Sequence, residues 1–386
     1  MPLNIIIVGA GLGGLAAAIS VKQEKPDHRV QVIESAPALA EVGAGLQVTP
    51  NATRLLKRWG LMRSLEKLAS SPQEFTIHRY SDGALIGKRD NFGEEMLAKY
   101  KSPFWDMHRA DLQIGMYERA RELGVEFRFG ALVKSTELET PSVTLSNGDC
   151  VEGDIIIAAD GCPSPPIPTG DLAYRVILRV EEIENDELRR YFETPRVVLW
   201  AGPDCHAICY PLKGGSLINI VLLVPDTLPE GVARAAGGLD EMLEIFQDWD
   251  PRLKSLLTMV PKVEKWKLMH LDELQHWSNA EATIAFLGDA CHPMLPYLAQ
   301  GAGSSLEDGA ALGVLLSRAD HRQDLPEILK LYEQLRKPRS SALQKRSMIQ
   351  VFSFCPLRCA VRPLIERRGT SITCLTGLNN EQGTIY

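Results

Sequence analysis

Close to the start of the chain an apolar run, Asn4-Ile5-Ile6-Ile7-Val8, passes directly into Gly9-Ala10-Gly11-Leu12-Gly13-Gly14 and then into an alanine-rich stretch. The run has the texture of a buried parallel strand, and the alanine-rich stretch has the texture of a helix. A GxGxxG spacing at that junction has a physical reading. Gly9 permits the tight turn, Gly11 lets backbone approach a pyrophosphate, and Gly14 lets the helix lie close on the strand. The amide groups at the helix start are then directed at phosphate. A second strand, Val30-Gln31-Val32-Ile33, ends in Glu34, which stands 34 − 14 = 20 residues after the last glycine. An acid at that offset is where a ribose hydroxyl is expected to bind. The arrangement specifies a βαβ unit with a dinucleotide site, and NAD and FAD remain equally compatible with it.

The apolar stretch over residues 5–21 is long enough to mimic a signal peptide or a membrane span, but its glycines and the lack of a basic stretch before it argue against both. No transmembrane segment is expected. At 386 residues the chain calls for two domains or one domain with a large insertion. A formal net charge of −7 argues against a nucleic-acid partner. The cysteines, Cys150, Cys162, Cys205, Cys209, Cys291, Cys355, Cys359 and Cys374, are scattered without a disulfide framework, and read as reduced thiols of a cytoplasmic protein. Cys205-His206-x-x-Cys209 offers too few ligands for zinc, and no partner pair stands after it at zinc spacing.

Beyond Glu34, Glu41-Val42-Gly43-Ala44-Gly45-Leu46-Gln47 suggests backbone lying against a flat ligand, with Ala44 and Gly45 at its centre. Trp105 to Leu112 opens a helix. Residues 125–129 and 143–145 read as a small antiparallel set, and 154–159 as a buried strand ending in Asp160-Gly161. Spaced strands at 172–178, 196–200, 206–212 and 216–223, with a helical pattern at 239–248, form an inserted sheet domain. Core texture returns at 282–289. The stretch Phe286-Leu-Gly-Asp-Ala-Cys-His-Pro-Met-Leu-Pro-Tyr-Leu-Ala-Gln-Gly-Ala-Gly-Ser-Ser-Leu-Glu-Asp308 then gathers Asp289, Cys291, His292, Glu307 and Asp308 around glycines. By residue type it suits a metal site, a Cys/His nucleophile or a cofactor cradle.

Four motifs in fixed order, namely the glycine turn with Glu34, His108-Arg109-Ala110-Asp111-Leu112, Asp160-Gly161, and Gly288-Asp289-Ala290-Cys291-His292-Pro293, resemble the single-component FAD-dependent aromatic hydroxylases. The likeness is to the salicylate hydroxylase group and its fungal secondary-metabolism branch, over roughly residues 3 to 345. The resemblance implies an α/β fold: a Rossmann-like FAD-binding domain of the glutathione-reductase type, an inserted mixed β-sheet substrate domain and a C-terminal helical segment. It implies a discontinuous FAD domain over 1–74, 105–165 and 276–320, a substrate domain over 75–104 and 166–275, a C-terminal helix over 321–350 and an irregular or disordered tail over 351–386.

The same resemblance puts the FAD pyrophosphate on Gly9, Gly11 and Gly14, the ribose on Glu34, and the adenine against Val133. Arg109 with Gln113, Asp160 and Asp289 would contact the phosphate and ribityl region. Gly301, Ala302 and Gly303, read as a turn before a helix at 305–316, would point amides at the flavin ring. NADPH or NADH would reduce FAD, dioxygen would give a C4a-hydroperoxyflavin, and an electron-rich aromatic or polyketide/alkaloid substrate would be hydroxylated or epoxidised. Arg175, His206 and Tyr210 are the catalytic candidates, the last two sharing a face at spacing four in a strand. Within the stretch from Phe286 to Asp308, Cys291 and His292 read as bystanders, and Glu307 and Asp308 as helix packing partners, with no metal. A monomer or homodimer is expected. Other FAD-dependent oxidoreductases, and an FAD binder without monooxygenase activity, are the alternatives.

Overall fold

The computed structural model describes residues 2–39, 45–161 and 166–353. Residues 40–44, 162–165 and the tail beyond 353 lie outside the described residues, and with them Ala44 and the irregular segment expected at the C-terminus.

The initial apolar run is the centre of a parallel five-stranded sheet. Its order is β18 (Ile284–Phe286), β11 (Ile155–Ala158), β1 (Asn4–Val8), β2 (Arg29–Ile33) and β7 (Glu126–Arg128). An antiparallel ribbon of β10 (Cys150–Glu152), β9 (Ser142–Leu145) and β8 (Val133–Glu137) stands beside it. The sequence pattern groups residues 125–129 with this ribbon. The structure instead pairs β7 with β2 in parallel, because a short apolar strand carries no record of its partner. Helices α1 (Leu12–Glu24), α2 (Pro50–Arg58), α3 (Met62–Leu65), α4 (Phe92–Tyr100) and α5 (Arg109–Glu122) lie in this first part of the chain. Trp105–His108, expected as helix, is strand β6, antiparallel to β3 (Gly45–Val48). The helix begins only at Arg109.

A second, mixed sheet carries eight strands: β16 (Arg234–Gly237), β17 (Val263–His270), β12 (Ile167–Arg179), β15 (Leu217–Pro225), β14 (His206–Leu212), β13 (Arg196–Ala201), β4 (Glu74–Arg79) and β5 (Leu85–Arg89). Alternation sorts its faces. Leu172, Tyr174 and Val176 on β12, with Ala207 and Cys209 on β14, enter a core closed by α6 (Asp186–Glu193), α7 (Leu239–Ile245) and α8 (Pro251–Leu257). Ala173 and Leu223, on the opposite face, pack on Leu295 and Tyr297 of the loop before α9 (Gly301–Leu316). The two sheets therefore meet across a cleft, not end to end. Helix α10 (Leu325–Ser353) closes the described chain.

Helices α1 and α9 are pressed together more tightly than ordinary side chains allow. A Cβ on Gly309 would lie 2.5 Å from the Ala17 amide nitrogen, and one on Gly313 would lie 2.2 Å from Ser20 Cβ. Gly13 in turn meets Ser305 and Leu287. The pairs 13 with 305, 17 with 309 and 20 with 313 advance in the same direction, so the helices are parallel and begin at one end. Parallel dipoles side by side are unfavourable until an anion is shared between their positive ends.

Gly313→Ala should therefore overpack this seam and cost about 1–3 kcal/mol in denaturant unfolding. An unchanged midpoint would show that the helices separate freely.

Candidate functional site

The glycine turn is held open by its neighbours. Gly9 has a φ of 104°, and a Cβ there would meet the Ala159 carbonyl at 2.6 Å, while one on Gly14 would strike the Gly9 carbonyl at 2.1 Å. Gly11 has open space on its side, with its nearest neighbour at 3.9 Å. Gln113 Nε2 donates to the Ala10 carbonyl at 2.8 Å, and the Ala10 amide donates to Glu34 Oε2 at 2.8 Å. Glu34 also accepts from Ala36 at 2.8 Å, so the acid expected to hold the ribose braces the turn as well. The first ladder bond of α1 is Leu15 N–H to Gly11 O, leaving the Leu12, Gly13 and Gly14 amides ahead of the ladder. Asp160 borders Gly9 at the end of β11. Burial, with Glu34 nearby, raises its carboxyl above the ordinary range.

Val133 packs, half-buried, beside Val143 and Leu145. Two residues before it, the Ala131 amide donates to the Glu34 carbonyl at 2.9 Å, so Val133 lies close to the acid that ends β2.

A second group of amides lies at the start of α9. Gly301, Ala302 and Gly303 form the first turn of the helix itself, four residues earlier than the sequence pattern suggests, and the first ladder bond is Ser304 N–H to Gln300 O at 2.8 Å. Their own amides precede the ladder. Asp289 sits in the single-turn helix Gly288–Ala290 beneath this start. It is open to the cleft yet crowded by protein, and burial raises its carboxyl against the opposing pull of His292 and Arg109. Arg109 opens α5 with its side chain exposed.

The remaining acids of this stretch serve structure. Asp308, fully buried, accepts from Gly288 N at 3.1 Å, from Arg336 Nε at 2.8 Å and from His292 Nε2. Burial alone would raise Asp308, but His292 and Arg336 bring it down to about 2. Cys291, His292 and Asp308 hold ligand atoms within 4.8 Å of one another, but a guanidinium already bonded to the carboxylate opposes any added cation there. His292, expected as a bystander, is thus a buried partner of Asp308.

Across the cleft, register places Tyr210 beside Asn219, and Arg175 beside Val221, which is itself paired with Ile208. His206, Tyr210 and Arg175 share the face that Ala173 and Leu223 turn toward the α9 loop. Arg175 lies with its guanidinium 4.8 Å from the Trp266 ring, whose other guanidinium neighbour, Arg234, is at 4.3 Å. No carboxylate of the described residues pairs with Arg175, and burial, with Arg109 and Arg234 near, lowers its affinity for the proton. His206 is buried, its ring 5.7 Å from that of Tyr297, and burial lowers its pKa to about 4. Tyr297 hydroxyl donates to Asp171 at 3.0 Å, tying the α9 loop to β12.

Tyr210 is engaged differently from a free phenol. Its hydroxyl donates to the Gly45 carbonyl at 2.8 Å, and its ring occupies the space a Gly45 Cβ would need, 2.7 Å away. Asn219 Oδ1 accepts the Gly45 amide at 3.0 Å. The sheet therefore holds β3 against the cleft by both backbone groups of Gly45. Two strand positions away, Gln47 donates to Asp106 Oδ1 at 3.0 Å, and complete burial raises Asp106 well above the usual carboxylate range. Asp106, Asn219 and Trp266 carry no signal in the sequence, since each acts through a cross-strand or cross-domain partner.

A family model described as "FAD binding domain" matches residues 3–201 and 245–347. The chain is 45% identical to the FAD-dependent monooxygenase OpS4 of Beauveria bassiana, over 96% of this chain and 89% of that protein. It is 30% identical to the 3-hydroxybenzoate 6-hydroxylase of Polaromonas naphthalenivorans, over 91% of this chain and 88% of that one. The crystal structure of FqzB superposes with a TM-score of 0.79 at 26% identity, covering 93% and 86% of the two chains.

Folding favours the neutral His206 ring, so its contribution is complete above an unfolded pKa of about 6.5 and is lost as pH falls from there toward 4. His206→Leu should flatten that acid limb of a stability-versus-pH curve. An unaltered limb would mean that His206 does not titrate in this range.

Proposed function

The chain belongs to the FAD-dependent monooxygenases that carry this FAD-binding domain, and from that premise we propose that it hydroxylates or epoxidises an electron-rich aromatic substrate bearing an acidic group. The observation that carries the substrate class is Arg175, stacked on Trp266 with no carboxylate partner among the described residues, on the sheet face turned toward the loop before α9. A planar guanidinium in such a place suits a substrate carboxylate or phenolate. The 3-hydroxybenzoate hydroxylase relative is named for a substrate of that kind.

The residues fit FAD. Open space beside Gly11 and unladdered amides at residues 12–14 suit a pyrophosphate, Glu34 a ribose, Val133 an adenine face, and Asp160, Arg109, Gln113 and Asp289 the chain toward the flavin. Gly301, Ala302 and Gly303 offer backbone amides to the ring, whereas Gly45, expected against a flat ligand, has its amide on Asn219 and its carbonyl on Tyr210. When bound, FAD supplies hydride acceptance from NADH or NADPH and the activation of dioxygen. The protein supplies orientation and dryness. The Leu223, Ala173, Leu268 and Leu295 contact seals the cleft against water, which would divert the oxidant to peroxide. His206, neutral at ordinary pH, can accept a hydrogen bond from a substrate hydroxyl and so raise the electron density of its ring. Tyr210 keeps β3 in place by way of Gly45.

Residues 1–74, 105–165 and 276–320 serve in this reading as the FAD domain, with 75–104 and 166–275 as the substrate domain. No helix among the described residues is long and apolar enough to cross a membrane. A cytoplasmic monomer or homodimer is part of the same proposal.

Purified protein should show a flavin band, and a panel of hydroxylated aromatic acids should stimulate NADH or NADPH consumption with hydroxylated product. A colourless protein that FAD cannot reconstitute would contradict the reading, and stimulation yielding only peroxide would favour an oxidase. Arg175→Met should raise KM for the acid-bearing substrate roughly ten- to hundredfold with kcat less affected. An equal effect on a substrate without the acid would remove Arg175 from recognition.

A further inference from the structure

Helix α10 reaches the flavin cradle through four charges, which no sequence motif announces. Arg336 Nε is 2.8 Å from Asp308 Oδ1 and its Nη1 2.9 Å from Glu307 Oε2, while Arg339 grips both Glu307 oxygens at 2.7 and 2.9 Å. Glu307 is well buried, and although burial alone would raise its carboxyl, Arg339 and Arg336 hold it below the ordinary range. The remaining capacity of Glu307 is used toward the cleft: Asn51 Nδ2 donates to its Oε1 at 2.8 Å. Asn51 Oδ1 accepts from Thr49 Oγ1 at 2.6 Å, and a Cβ on Gly303 would lie 3.0 Å from Asn51 Nδ2. A continuous polar path thus runs from the exposed side of α10 to the first turn of α9.

We propose that the balance of Arg336 and Arg339 against Glu307 and Asp308 sets the electrostatic potential at the start of α9 and so tunes the reduction potential of bound FAD, with Arg339, Glu307 and Asn51 as positioning residues. Reduction by two electrons and one proton leaves the flavin ring with an additional negative charge. Helix-start amides favour that charge, and an uncompensated carboxylate one to two turns behind them opposes it. Buried charges are poorly screened by salt, so the arginines on α10 decide how much of the amide field survives. This inference depends on the FAD cradle alone and is independent of the substrate.

The test is the two-electron midpoint potential of the FAD-loaded protein, measured by equilibration with a reference dye, together with the FAD dissociation constant. Arg339 is the accessible member, its side chain 39% exposed, so its replacement is the mildest. Arg339→Met should lower the midpoint and Glu307→Gln should raise it. Each should change the reduction equilibrium about three- to tenfold, about 15–30 mV for a two-electron couple. Arg339→Lys, which keeps the charge, should stay near the parent value, and the double variant R339M/E307Q should return toward it. A purely mechanical role for the network would move both single variants the same way or neither, and either result overturns the proposal. If Arg339→Met failed to retain FAD, the sign for Glu307→Gln would decide: an unchanged or lowered midpoint overturns it.

Discussion

The site rests on the seam between α1 and α9. Because Gly309 and Gly313 let α9 lie on the backbone of α1 near Ala17, Ser20 and Val21, two helices from opposite ends of the chain begin at one place and point the same way. Each brings three amides that precede its hydrogen-bond ladder. Two positive helix ends side by side repel, and a dianionic pyrophosphate with a ring that gains charge on reduction is a natural complement to both. That mutual repulsion would be relieved by an anionic cofactor bound between the two helix ends. Glycines usually read as flexibility; here they provide closeness.

The second sheet depends on that cradle in turn. Tyr210 and Asn219 hold the two backbone groups of Gly45, Tyr297 reaches Asp171, and an apolar contact around Leu223 and Leu295 lies between. These ties place Arg175 and His206 on the wall facing the α9 loop. Each tie joins the eight-stranded sheet either to β3 or to the loop before α9, so neither half makes a cleft alone. Helix α10 fastens the assembly from behind by its arginines and by Gln344 and Ser347, which donate to the carbonyls of Pro293 and Leu295 at 3.2 and 2.7 Å.

Features carried by local order are legible in the sequence. The strand, glycine turn, helix and acid from Asn4 to Glu34 lie within one βαβ unit, and spacing alone predicts their geometry. The glycines that open α9 are legible as well, though the pattern sets the helix start four residues late, because glycine is a poor helix former and tertiary packing overrides that propensity. Pairings of high sequence separation stay invisible. Strand 126–128 could join either sheet, Trp105–His108 is too short to declare its period, and nothing about Asp106, Asn219 or Arg339 in isolation says which partner each will meet. Gly309 and Gly313, four apart on one helix face, are a signal of close helix packing that the sequence does carry.

A monooxygenase of this architecture delivers an oxygen atom from dioxygen to a bound aromatic ring instead of releasing it as peroxide. The most direct measurement is turnover of an accepted substrate under oxygen-18 gas, with mass spectrometry of the product and peroxide assayed in parallel. One oxygen-18 atom should enter the product for each NADH or NADPH consumed, with little peroxide. Product lacking the label, or reducing equivalents recovered wholly as peroxide, would contradict it.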